Sequence, residues 1–161
     1  MNLPAVTIRA YRPADLDTLI ELFRGSIRRV ARRDYSVVQV MAWAPDDIDR
    51  DNWIGRIANR STWVAEIAGE FPGFTDLEPD GHLDRMYTHA DHQGRGVASA
   101  LLRELEVAAR TQKISRLFTE ASITARPFFE RRGFRLITAQ TVRFNGQTFI
   151  NHRMEKLLSL D

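Results

Sequence analysis

The chain has 161 residues, 43% of them apolar and 27% charged, which suits a soluble protein with a buried core. It has no cysteine, which excludes disulfides, a thiolate metal site and a cysteine nucleophile. The net charge is +2, with 21 acidic residues interspersed among 23 basic ones, so the net field is weak and neither nucleic acid nor a membrane is the expected partner.

Val6 to Tyr11 alternates apolar and polar residues and reads as a first strand. Pro13 suits a helix start, where its missing N–H is no loss. From Ala14 the residues Leu16, Leu19, Ile20, Phe23, Ile27 and Val30 recur at helical spacing, with an end near Arg32. This helix carries the one dense basic cluster, Arg24, Arg28, Arg29, Arg32 and Arg33, which reads as a solvated face ahead of a phosphate-binding patch. Ser36 is placed to cap a second helical piece through Trp43, which Pro45 ends, and Asp46 to Asn59 forms a third.

The pattern changes at Ser61. Thr62–Ala68, Phe71–Leu77 and His82–Thr88 read as three antiparallel strands joined by turns at Gly69-Glu70 and Asp80-Gly81. The last strand runs through a turn holding Gly94 and Gly96 into an amphipathic helix with Val97, Ala98, Leu101, Leu102, Leu105, Ala108 and Ala109 on one side. A strand entering a helix through glycines is an anion-binding device, because unpaired N–H groups and the helix dipole converge there. Ser115 to Ile123 is a further strand, placed by the preceding crossover helix parallel to the 82–88 strand. Thr124 is expected to cap a short helix, Ala125 to Arg132, with Gly133 and Phe134 completing its C-terminal motif. Arg135–Phe144 and Gln147–Leu157 flank Asn145-Gly146, a strong hairpin signal. No secretory leader and no run near the roughly 18 apolar residues of a membrane span is present, so the expected location is cytoplasmic.

Gln93-Gly94-Arg95-Gly96-Val97-Ala98, between a strand and a helix, and Ser122-Ile-Thr-Ala125-Arg-Pro-Phe128-Phe129-Glu130-Arg-Arg-Gly133-Phe134, after the next strand, together resemble the GNAT superfamily of acetyl-CoA-dependent N-acetyltransferases. The order of elements agrees over nearly the whole chain. The resemblance implies one α/β domain over residues 1–161. Its sheet would be mixed and mostly antiparallel, with a parallel, splayed central strand pair and flanking helices. It implies acetyl transfer from acetyl-CoA to a primary amine in a ternary complex, the acceptor being a small molecule or a peptide and the protein a monomer or homodimer. The coenzyme A pyrophosphate would sit on the N–H groups of Gln93, Gly94, Arg95, Gly96, Val97, Ala98 and Ser99. The main chain of Met86, Tyr87 and Thr88 would line the pantetheine gap and polarise the thioester. Ser122, Ala125, Phe128 and Phe129 would lie on its far side, with Arg131 toward the nucleotide end. No metal is implied.

One departure bears on the chemistry. The family often places a tyrosine, the acid for the departing thiolate, where this chain has Phe129, and a phenyl ring donates no proton. That residue alone supports a second reading, a non-catalytic acyl-CoA-binding module. For the base, Asp84 is the first candidate, followed by Glu120 and His82, with Tyr87 and Tyr35 as weaker candidates for the acid. Alternation puts His82, Asp84 and Met86 on one face of their strand. Asp84 is equally suited to pairing with an arginine. The acceptor pocket is expected around Tyr35, Met41, Trp43, Trp53 and the last hairpin.

Overall fold

The computed structural model describes residues 4–160. Met1 to Leu3 and Asp161, which the expected domain includes, lie outside the described residues. Strand β1 (Thr7–Ala10) leads through a 3-10 turn at Pro13–Asp15 into helix α1 (Leu16–Arg29). The chain then tightens into a second 3-10 turn at Ala31–Arg33, where Arg33 and Asp34 donate to the carbonyls of Val30 and Ala31, so α1 stops short of Arg32. Ser36 caps α2 (Val37–Trp43): its hydroxyl accepts from Gln39 N–H while the Gln39 side chain accepts from Ser36 N–H. Asp49 caps α3 (Arg50–Ala58), which moves the start of that helix past Asp46.

Strands β2 (Ser61–Ile67), β3 (Glu70–Leu77) and β4 (Met86–Thr88) join β1 in an antiparallel sheet of order β1-β2-β3-β4. Helix α4 (Val97–Thr111) follows, then β5 (Arg116–Ser122), α5 (Arg126–Arg131), β6 (Arg135–Phe144) and β7 (Gln147–Leu157). The last three strands form a second antiparallel sheet, β5-β7-β6. Asn145 and Gly146 both take positive φ, as a two-residue hairpin requires.

The architecture is α/β, but the single mixed sheet with a parallel strand pair is replaced by two antiparallel sheets. They meet in parallel at one bridge, His82 to Phe118, where Leu83 N–H donates to Phe118 O (2.9 Å) and Phe118 N–H to Gly81 O (3.1 Å). The expected 82–88 strand is interrupted for the same reason. Asp76 Oδ1 takes the N–H of Arg85 (2.9 Å), and the Thr75 hydroxyl donates to Arg85 O (2.8 Å). One backbone bond persists, Asp76 N–H to Arg85 O (3.1 Å), but side chains supply the other partners, and regular pairing begins only at Met86. Strand alternation fails across this stretch: Leu83 and Met86 pack into one cluster with Leu102 and Leu105, whereas Arg85 and Tyr87 both turn to Phe74.

Thr124 does not cap α5. Its hydroxyl donates to Asp34, and Ser122 Oγ accepts the Ala125 N–H instead. At the other end Phe134 N–H reaches Phe129 O and Gly133 N–H reaches Glu130 O, with the Phe129 and Phe134 rings edge to face at 5.0 Å. In the basic cluster Arg29, Arg32 and Arg33 are exposed, as a solvated face requires, while half-buried Arg28 donates to Ala44 O and half-buried Arg24 to Pro45 O and Asp46 O. These bonds satisfy the carbonyls where α2 ends, which Pro45 cannot continue. Among the described residues no helix is long and apolar enough to cross a membrane.

The sheet junction requires a glycine. A Cβ on Gly81 would stand 2.1 Å from the Arg116 carbonyl oxygen, on a backbone with φ +97. Gly81→Ala is expected to lower unfolding free energy by about 2 kcal/mol or more in urea melts. Gly55→Ala, inside α3 with nothing within 4 Å of the added Cβ, is expected to raise it by about 0.5–1 kcal/mol.

Candidate active site

Beyond the bridge the two sheets separate, and β4 and β5 share no ladder. The gap opens into a cavity of about 570 Å³ walled by β4, the glycine turn, α4, the β5–α5 corner and the C-terminal half of α1. Of the residues expected to hold a cofactor, Met86, Tyr87, Thr88, Gln93, Gly94, Gly96, Val97, Ala98, Ser99, Ser122, Ala125, Phe128, Phe129 and Arg131 all line it. Arg95 does not.

The glycine turn explains its own composition. Gly94 and Gly96 have φ +75 and +79, and nothing lies within 4 Å of a Cβ built on either. They are set by backbone conformation, and they leave an open cradle. Gly96 is the N-cap of α4 without a side-chain cap, and no acidic residue occupies the first turn. The first intrahelical bond is Ala100 N–H to Gly96 O (3.0 Å), so the N–H groups of Val97, Ala98 and Ser99 have no helical partner. An uncompensated helix N-terminus beside an empty concavity suits phosphate oxygens. Arg33 and Arg131 line the same cavity, and Arg132 does so while donating to Ser99 Oγ and lying over the Phe128 ring.

Main-chain phase on β4 identifies the donors. Arg85 N–H goes to Asp76, and His89 N–H goes to Pro72 O (2.7 Å), both on the β3 side. Alternation turns Tyr87 N–H the same way and leaves those of Met86 and Thr88 directed to the edge that β5 does not pair. The Gln93 amide donates to Thr88 O and His89 O, which fixes the end of the strand against the turn.

The three candidate bases are together, but away from the cavity wall. His82 lies between Glu78 and Glu120, 2.7 Å from each, with its ring stacked on Phe118. Burial opposes a charged ring there, but the two carboxylates outweigh it and raise the His82 pKa to about 9. Asp84 is bound by Arg56 and by Arg60 (2.6 Å). Burial would push its carboxyl up, yet the two guanidiniums hold it below the usual carboxylate range. Glu78, His82 and Asp84 bring potential ligand atoms within 4.8 Å of one another, but each is already engaged with its neighbours.

Of the expected acceptor residues, Trp43 lines the cavity and Tyr35 stands behind it. The Tyr35 hydroxyl donates to Ile150 O (2.6 Å) and accepts from Ile123 N–H (2.9 Å), tying β5 to β7. Trp53 is core, edge to face with Phe23 and beneath the Arg85 guanidinium, and Met41 is exposed. Tyr87 lines the cavity, and burial pushes its phenol pKa up, so it keeps its proton. The sequence reading missed Ser26, Ile27, Val30, Ala31 and Arg33 of the α1 wall, and His92, Thr124, Pro127 and Arg132 around the rim. The α1 residues share the helical stripe that marks core, and periodicity does not separate a cavity wall from a core contact.

A sequence model described as "Acetyltransferase (GNAT) domain" matches residues 31–157. The chain is 36% identical over 149 residues to the uncharacterized N-acetyltransferase YafP of Escherichia coli (strain K12), covering 92% of this chain and 94% of that one. A GCN5-related N-acetyltransferase from Rhodopseudomonas palustris superposes with a TM-score of 0.92 at 33% identity, over 98% of this chain and 99% of the other. The PaiA N-acetyltransferase of Thermoplasma acidophilum, solved in complex with coenzyme A, superposes with a TM-score of 0.79 at 19% identity, over 96% and 99%.

The His82 arrangement has a signature in solution. Its folded pKa lies above the ordinary value of 6.5, so the stability it contributes is complete below about pH 6.5 and is lost as pH rises through about 9. An NMR titration should place the His82 imidazole midpoint near 9. The urea midpoint should fall across that window, and His82→Asn should flatten the fall.

Proposed function

The chain belongs to the GNAT acetyltransferase family and is an N-acetyltransferase, and from that premise we propose that it moves the acetyl group of acetyl-CoA to an amine by direct attack in a ternary complex. The observation that carries this reading is the uncapped, acid-free start of α4 with its two left-handed glycines, opening on the same cavity as the unpaired edge of β4. Bound acetyl-CoA supplies an activated thioester. The N–H groups of Val97, Ala98 and Ser99 would hold its pyrophosphate, and the unpaired edge of β4 would carry the pantetheine arm. Met86 N–H, turned away from β3, would donate to the thioester carbonyl and polarise it. Tyr87 is the phenol in the lining that could serve the departing sulfur, since Phe129 is apolar and packed among Leu102, Leu105 and Phe134.

The reading gives the role of proton acceptor to none of Asp84, Glu120 and His82. His82 is already protonated at neutral pH, Asp84 is neutralised by two arginines, and Glu120 is spent on His82. These groups hold the junction from which the cavity opens.

Two measurements test the proposal. Coenzyme A should raise the melting temperature of the wild type, and Gly96→Glu, which puts a carboxylate where phosphate would sit, should abolish that rise; no rise at saturating ligand would overturn the cofactor assignment. Asp84→Asn should lower kcat by less than about tenfold, whereas loss of a true general base costs about 10²–10⁴.

A further inference from the structure

Resting on the acetyl-transfer reading, we propose that the acceptor is an aromatic amine, neutral at physiological pH, and not an alkylammonium.

The charge of the lining disfavours a cationic acceptor. Among the described residues that line the cavity there is no aspartate and no glutamate. The ionisable side chains there are Arg33, Arg131, Arg132, His92 and Tyr87. Among the described residues no carboxylate pairs with Arg33 or Arg131, so the lining offers cations to the coenzyme A phosphates and no side-chain anion to an acceptor. An ammonium entering it would lose hydration without meeting a counter-charge. The acidic groups are elsewhere: Asp76, Glu78, Asp84 and Glu120 are held at the sheet junction by Arg56, Arg60, Arg85 and His82.

The fate of the amine proton points the same way. An ammonium must be deprotonated before it attacks, and the cavity offers no base at the thioester end. Tyr87 keeps its proton, and the arginines are cations. His92, the one imidazole in the lining, stands at the glycine turn with Nε2 3.1 Å from Glu70. An aromatic amine needs no prior deprotonation. Its nitrogen lone pair forms the C–N bond to the acetyl carbon. The C–S bond breaks with its electron pair on sulfur, and the proton shed by nitrogen goes to water or to the departing thiolate.

The shape of the cavity suits a flat ring. Trp43 and Tyr87 form an aromatic wall, backed by Tyr35 (5.5 Å from Trp43) and Phe23 (5.0 Å from Tyr87), with Ile27 and Val30 beside it. Such a wall takes a planar ring face to face or edge on.

The test uses two isomers, para-toluidine and benzylamine, which share size and composition but differ in basicity. Coenzyme A release from acetyl-CoA is measured with each. At neutral pH kcat/KM for para-toluidine is expected to exceed that for benzylamine by about tenfold or more. Its profile should stay flat at higher pH while benzylamine rises about tenfold per pH unit, following its free base. Benzylamine turned over equally well or better at neutral pH would overturn the inference. So would coenzyme A binding, seen by calorimetry, with no turnover of para-toluidine. Absence of coenzyme A binding would overturn both the acetyl-transfer reading and this inference.

Discussion

The structure turns on how the backbone between Gly81 and Arg85 distributes its hydrogen bonds. His82 O accepts from Glu78 N–H, Leu83 N–H donates to Phe118, Leu83 O accepts from the Thr119 hydroxyl, and Arg85 is bound through Asp76 and Thr75. A strand of one sheet would send its N–H and C=O groups alternately to two fixed neighbours. Here alternate groups go to different sheets, so beyond this point the sheets diverge. The cavity is the consequence of that divergence, and its depth is set by where the bridge stands.

A buried ion pair holds the divergence. Asp76 and Arg85 are almost fully buried, with Arg85 Nε 2.7 Å from the Asp76 carboxylate. Burial pushes the Asp76 carboxyl up, and Arg85 works against it. Among the described residues the terminal nitrogens of Arg85 have no hydrogen-bond partner, and the guanidinium instead lies 4.4 Å from the Trp53 ring centroid and 5.8 Å from that of Phe74. Ring faces accept cationic charge without a directed bond. Removing either partner of such a pair costs about 3–5 kcal/mol because it strands a charge in the core. Arg56, Arg60, His82, Glu78, Asp84 and Glu120 extend the pair outward to the surface. The carboxylates of Asp76, Glu78, Asp84 and Glu120 are all consumed in this network.

The cavity itself is assembled from backbone more than from side chains. The α4 N-terminus, the free edge of β4 and the glycine turn present N–H groups, while the opposite wall is apolar and aromatic with arginines at its rim. This division suits a long ligand with anionic and uncharged ends. Fixed dipoles would meet anionic groups, and an uncharged end would meet the apolar wall.

Local signals were legible in the sequence wherever a few adjacent residues decide conformation. Ser36 with Gln39, Gly94 and Gly96, Gly133 with Phe134, and Asn145-Gly146 each fold as their neighbours dictate, because capping and left-handed backbone are short-range effects. Fourteen of the fifteen residues read as cofactor contacts line one cavity for the same reason: the glycine turn and the β5–α5 corner carry their own geometry. The junction between the two sheets and the fate of charged side chains were not legible. The 82–88 run alternates like a strand, yet Asp76 and Thr75, several residues away in sequence, interrupt it. Asp84 stands close to the thioester in sequence, yet Arg56 and Arg60 on and beyond α3 fix its charge. The sequence alone determined the order of the elements and the left-handed glycine turn before α4. Only the tertiary structure decided that the sheets part at Gly81–Leu83, that α1 forms a cavity wall, and that the acids lie outside it. A charge's role depends on which opposite charge and how much water it meets, and both come from distant parts of the chain.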